Sequence, residues 1–121
     1  VGAGVSLIKL ALDTIYAGLS GLEFAAGIPG DVGGSAAMNA GAYNSSMSEV
    51  ITKVKVLTND LRIKELTQNE LNYSYRDSLF KHDKSYIILE ITLQLSEGNI
   101  EESLEIIDDR KQRRINTQPL G

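Results

Sequence analysis

Between Gly18 and Tyr43 the chain carries seven of its 11 glycines, at positions 18, 21, 27, 30, 33, 34 and 41. Glycine loses more conformational freedom on folding than any other residue, so such density marks backbone that must turn sharply or approach something closely. The densest part runs Gly27-Ile28-Pro29-Gly30-Asp31-Val32-Gly33-Gly34, then Ser35-Ala36-Ala37-Met38-Asn39-Ala40-Gly41-Ala42-Tyr43. Two readings of it stay open. Uncovered backbone N–H groups ahead of a short helix at about Asp31–Met38 would make an anion cradle suited to a pyrophosphate. Alternatively, the glycines make a tight structural turn with close helix packing. The segment is neither G-x-G-x-x-G nor a Walker loop, so a Rossmann or P-loop nucleotide site is not supported.

Regular structure has to come from either side. Val5, Ile8, Leu12, Ile15 and Leu19 recur at spacings of three and four and predict a helix with Ser6 as N-cap and Gly18 or Gly21 as its stop. Residues 1–4 read as the tail of a strand. Downstream, Val50, Thr52, Val54, Val56 and Thr58 alternate along one strand face, with Lys53 and Lys55 on the other. Asn59-Asp60 turns the chain into a partner strand from Leu61 to Leu66, and Thr67 with Glu70 has the spacing of a capping box. Tyr73–Asp83 reads as an irregular polar loop. Ile87, Leu89, Ile91, Leu93 and Leu95 give the clearest strand. Asn99 with Glu102 opens a helix from Ile100 to about Arg114, with Ile100, Leu104 and Ile107 as its buried stripe. The order is helix, glycine-rich turn, hairpin, strand, helix, which is α+β.

Composition removes several chemistries. There are no cysteines and one histidine, His82, so thiolate chemistry, a metal site and a Ser-His-Asp triad are not expected. The lone histidine reads as a solvated side chain, and the acids at 101, 102 and 105 as a helix N-terminal turn. A net charge of -4 argues against a nucleic-acid surface. No apolar run approaches the ~20 residues of a membrane span. The absence of cysteine suits a reducing, cytoplasmic setting.

A second segment, Tyr73-Ser74-Tyr75-Arg76-Asp77-Ser78-Leu79-Phe80, puts an arginine between polar and aromatic neighbours. Its planar fork could pair with a carboxylate or phosphate, or it could bond Asp77 or solvent. Considered with the glycine segment, the pattern is specific. Gly-Leu-Glu-Phe-Ala-Ala-Gly-Ile-Pro-Gly-x-Val-Gly-Gly from Gly21, then Met-Asn-Ala-Gly-Ala-Tyr from Met38, then Tyr-Arg-Asp-Ser-x-Phe from Tyr75 resembles the UDP-N-acetylenolpyruvoylglucosamine reductase family. Thr117-Gln118-Pro119-Leu120 is similar to the stretch before that family's serine motif, so the likeness runs over essentially the whole chain.

The resemblance implies a fold and a site. The fold would be the second lobe of a vanillyl-alcohol-oxidase-type FAD-binding domain, a mostly antiparallel sheet with flanking helices. Residues 1–115 would form that lobe, and 116–121 would begin a link to a substrate domain. The activity would be FAD- and NADPH-dependent reduction of a UDP-sugar enolpyruvate. By motif match Arg76 would be catalytic and, with Tyr75, would touch substrate. Ile28, Gly30, Gly33, Gly34, Ala37, Ala40, Gly41 and Ile88 would lie along FAD. The first phosphate-binding loop, the proton-donating serine and a charge-stabilising glutamate would lie outside these residues. On that expectation the chain is an internal piece, inactive alone, holding at most traces of flavin and prone to self-association. A bare structural half-domain and a different FAD-domain oxidoreductase remain as rival readings.

Overall fold

A computed structural model describes residues 1–117; the rest of the expected link, 118–121, and with it most of the Thr117–Leu120 motif, lies outside the described residues. Helix α1 spans Leu7–Tyr16, with the Ser6 hydroxyl accepting from the Lys9 N–H as expected. Its buried line is Leu7, Ala11 and Ile15. That line sits one position off the predicted stripe, leaving Ile8 and Leu12 half-buried at its side. After strand β1 (Leu19–Ser20) and a 3-10 turn (Glu23–Gly27) comes α2 (Val32–Met38), capped by the Asp31 side chain.

A hairpin of β2 (Gly41–Ala42) and β3 (Ser45–Ser46) follows. Its Tyr43-Asn44 turn holds both residues in the left-handed region, the geometry that two-residue hairpin loops require. Strand β4 (Ile51–Leu57) is the centre of an antiparallel sheet, between β5 (Ile63–Thr67) and β6 (Ile87–Leu93). Residues 1–3 line up beside β6: Val1 and Ile91 exchange backbone hydrogen bonds, and the Ala3 N–H donates to the Leu89 carbonyl. A short helix α3 (Leu79–His82), strand β7 (Ser96–Glu97) paired with β1, and α4 (Ile100–Thr117) complete the described chain.

Two register shifts in the β4–β6 ladder change which side chains face inward. An extra residue in one strand breaks the two-residue alternation and bends the strand. The first shift, between Ile51 and Lys53, lets neighbouring Val50 and Ile51 both be buried, whereas strict alternation had put Ile51 outside. The second passes over Leu89, so Val56 pairs with Ile88 and Leu57 with Ile87. Ile87, on the alternating face of the predicted strand, is therefore 59% exposed beside Leu57 and the still more exposed Ile63. Ile88 is turned toward α2. The α4 stripe also moves: Ser103 is buried, Leu104 and Ile107 are half-buried, and Ile100 is exposed. The Thr67–Glu70 capping box forms as predicted.

Candidate functional site

Of the stretch Tyr73–Asp83 read as an irregular loop, Leu79–His82 is a short helix, while Tyr73–Ser78 is irregular but closely hydrogen-bonded. Ser74 and Asp77 exchange backbone hydrogen bonds (3.2 and 3.1 Å), which leaves Tyr75 and Arg76 at the tip of a tight turn. Arg76 holds a positive φ of 52°, a conformation costly for a residue with a Cβ and often met at functional sites. Tyr75 is 89% exposed, with the Arg76 guanidinium 5.9 Å from its ring centre.

Four side-chain hydrogen bonds fasten this turn to the glycine-rich segment. The Tyr73 hydroxyl donates to the Ala36 carbonyl (2.9 Å) and the Ser78 hydroxyl to the Ala37 carbonyl (2.5 Å), occupying acceptors that a helix C-terminus leaves free. Asn39 donates to the Ser74 carbonyl at 2.7 Å, and Arg76 Nη2 to the Gly41 carbonyl at 3.0 Å. Burial pushes the Tyr73 hydroxyl pKa up, so it stays a donor. Asp77 bonds His82 at 2.8 Å rather than Arg76. His82 is exposed, as expected of a solvated side chain, and its hydrogen bond holds the Asp77 carboxyl below the ordinary carboxylate range.

The strain at Arg76 separates its local cost from its use. Glycine takes the left-handed region freely, so Arg76→Gly is expected to be about 1 kcal/mol more stable than Arg76→Ala. Thermal denaturation of the pair checks this; an alanine variant that is the more stable would mean the turn does not adopt this conformation.

Two depressions flank α2. One, of about 570 Å³, is polar and joins Gly41, Asn39, three serines of residues 45–48 and the Tyr75-Arg76 tip. The other, of about 390 Å³, has a floor of Ala3, Gly4, Gly33, Gly34 and Ala37 and a wall of Phe80, Tyr86 and Ile88, with Lys84 at hand. Phe80 and Tyr86 meet edge to face at 6.1 Å. Of the predicted cofactor residues, Gly33, Gly34, Ala37 and Ile88 come together here. Gly41 lies instead in the polar depression with Arg76 and Tyr75. Ile28, Gly30 and Ala40 line neither; Ala40 is buried in the core, and Ile28 packs half-buried against it.

The start of α2 is not an open anion cradle. The N–H groups of Val32 and Gly33 donate to the Val5 and Ala3 carbonyls (2.8 Å each), that of Gly34 to the Asp31 carboxylate (2.7 Å), and that of Ser35 to the Asp31 carbonyl (3.0 Å). The reading that holds for these donors is the tight turn with close packing. Gly33 shows why glycine is needed: a Cβ there would stand 2.9 Å from the Ala3 Cβ and 3.2 Å from its carbonyl oxygen.

A model of the FAD binding domain family matches residues 1–67, more than half of the chain. The chain belongs to that family. The second depression fits a flat group of the kind a family member binds, because nothing stands within 4 Å of where a Gly4 Cβ would be and only the Asp31 carboxylate lies near that of Gly34. A floor of glycines and alanines, with Asp31 at its rim and aromatic and aliphatic walls, admits a planar ring system. UDP-N-acetylenolpyruvoylglucosamine reductase of Bacillus subtilis (strain 168) is 44% identical over 119 residues, 98% of this chain and 39% of that protein. The enzyme of the same name from Anoxybacillus flavithermus is 45% identical over the same shares. The crystal structure of UDP-N-acetylenolpyruvylglucosamine reductase from Thermus caldophilus superposes with a TM-score of 0.86 at 35% identity, over 99% of this chain and 44% of that one. The chain thus spans about two-fifths of the length of the curated relatives it matches.

Asn39, Tyr73 and Ser78, which seat the arginine, were not among the site residues expected from the sequence. Only Asn39 left a sequence signal, an Asn just after a short helix, where a left-handed cap is common.

Proposed function

We propose that residues 1–115 are the C-terminal lobe of the FAD-binding domain of a cytoplasmic flavoprotein reductase, and that 116–121 begin its link to a substrate domain. The reaction proposed is the NADPH-dependent reduction of UDP-N-acetylglucosamine enolpyruvate to UDP-N-acetylmuramate, a step of peptidoglycan synthesis. The observation that carries this reading is the hydrogen-bonded seating of the Tyr75-Arg76 tip against the glycine-rich segment, with a small-residue depression on the other flank of α2.

Bound FAD would accept a hydride from NADPH and deliver it to the enolpyruvyl double bond. Gly33, Gly34, Ala37 and Ile88 would hold its flat ring, and Gly41, which lies in the polar depression with Arg76, would meet the cofactor only where it reaches toward that site. Ile28 and Ala40, packed against or in the core, would shape the backbone behind this surface, and Gly30 would complete the exposed turn before α2. Hydride addition leaves an enolate whose oxygens gain negative charge. The Arg76 guanidinium, permanently charged, attracts that enolate more than the substrate it came from, which is differential stabilisation of developing charge. Tyr75 would lie against the sugar nucleotide.

The intact protein is expected to be yellow, to bleach with NADPH and to recolour on addition of the enolpyruvate. A bleached protein that never recolours with this substrate would contradict the assignment. The 121-residue chain alone is expected to leave gel filtration colourless, because the first-turn N–H groups of α2 are already engaged and offer a pyrophosphate no anchorage. Stoichiometric flavin surviving the column would contradict that.

A further inference from the structure

We infer that Asn39 is a positioning residue for Arg76, an inference that rests on the catalytic reading of Arg76 given above. Asn39 is 5% exposed, sits in the left-handed conformation (φ 50°, ψ 53°) at the end of α2, and uses both ends of its amide. Its Nδ2 donates to the Ser74 carbonyl at 2.7 Å. Its Oδ1 accepts the Ser48 N–H at 2.9 Å. The Ser74 oxygen is the same one that accepts the Asp77 N–H and closes the turn carrying Arg76. Asn39 therefore ties that turn to the segment following β3, while the Gly41 carbonyl, two residues along, receives Arg76 itself. Tyr73 and Ser78 hold the base of the loop, but each bonds only an α2 carbonyl across it. The Ser78 hydroxyl also accepts the Phe80 N–H, a bond within its own helix cap, whereas Asn39 is the one of the three whose side chain joins the turn to the segment after β3.

The chemistry of the amide makes this testable. Ser74 offers an acceptor and Ser48 a donor, so position 39 needs one N–H and one C=O. Asn39→Asp keeps the shape. Its ionised carboxylate presents an acceptor to the Ser74 oxygen, which keeps the Asp77 N–H but loses the Asn39 donor and faces a carboxylate instead. Its protonated form restores an O–H donor toward Ser74 and keeps an oxygen for Ser48. Arg76, Asp77, Lys81 and His82 are the ionisable groups of the same turn and α3, and the Asp77 carboxylate is hydrogen-bonded to His82. Every profile is therefore divided by that of the wild type.

The experiment uses the intact flavoprotein and follows flavin absorbance by stopped flow, reading flavin reduction by NADPH and reoxidation by the enolpyruvate separately. In Asn39→Asp, reoxidation at high pH is expected to fall about ten- to a hundredfold, to recover as pH is lowered, and to leave flavin reduction unchanged. In an Arg76→Ala background the same substitution should produce no further pH-dependent loss. Equal slowing of both half-reactions, a loss that does not recover at low pH, or an undiminished loss without Arg76 overturns the proposal. Flavin content and circular dichroism that fall together with activity also overturn it, since Asn39 would then be supporting the fold. In the unsubstituted protein the Asn39 side-chain NH₂ should exchange slowly with solvent, and fast exchange counts against the bond to Ser74. An Arg76→Ala variant that reoxidises at full rate sinks the catalytic reading itself. A crippled Arg76→Ala with a pH-independent Asn39→Asp sinks the Asn39 assignment alone.

Discussion

Arg76→Ala in the intact flavoprotein is expected to slow enolpyruvate reduction about 100- to 1,000-fold, the usual loss for one preorganised charge contact, while flavin reduction by NADPH keeps its rate. The asymmetry follows from where charge appears. The guanidinium faces the polar depression and not the small-residue floor, so removing it leaves the proposed flavin surface untouched. Arg76→Lys should recover only part of the rate. A point charge on a flexible stem cannot both reach the Gly41 carbonyl and present a planar fork outward. Stopped-flow absorbance reads the two half-reactions apart. Equal slowing of both would mean that Arg76 supports the fold or the flavin, and its catalytic role would fall.

Ile51→Ala is expected to destabilise the protein by about 2–5 kcal/mol, the range for truncating a large buried aliphatic side chain. Ile51 is fully buried at the first residue of the central strand, beside the register shift that lets Val50 and Ile51 both turn inward. Without that shift Ile51 would share the outer face with Lys53 and Lys55, and its loss would cost within about 0.5 kcal/mol. Urea denaturation followed by circular dichroism decides between them. A cost near zero would contradict the register of the sheet at the start of its central strand.

These two residues also show where the sequence was legible. Local signals carried well: Ser6, the Thr67–Glu70 pair and Asn99 each cap the element they were assigned to, because capping is a contact between near neighbours. The α+β order and the antiparallel hairpin were readable from periodicity for the same reason. Strict alternation failed where a bulge intervened. Nothing within a strand announces an extra residue that only the partner strand reveals, so Ile51 was left off the alternating face of its strand and Ile87 was placed on that of its own. The α1 stripe slipped by one position because Leu7 and Ala11 are chosen by what packs on the helix, not by the helix's own pattern.

At the site, residue types pointed to the right segments and not to their contacts. Glycine density suggested open N–H groups, yet the Ala3 and Val5 carbonyls, distant in sequence, use two of them, and Asp31 takes two more. Arg76 was legible through its motif. The bonds from Asn39, Tyr73 and Ser78 that hold its turn cross 35 to 41 positions of sequence, a separation that no local pattern encodes.

The most direct test of the central claim is amide chemical-shift mapping of the 121-residue chain titrated with FAD at millimolar concentration, where weak binding still registers. The account predicts shifts concentrated at Gly33, Gly34, Ala37 and Ile88, with smaller ones at Gly41 and the Arg76 turn. Shifts confined to another face, or none at saturating FAD with the chain folded, would contradict it.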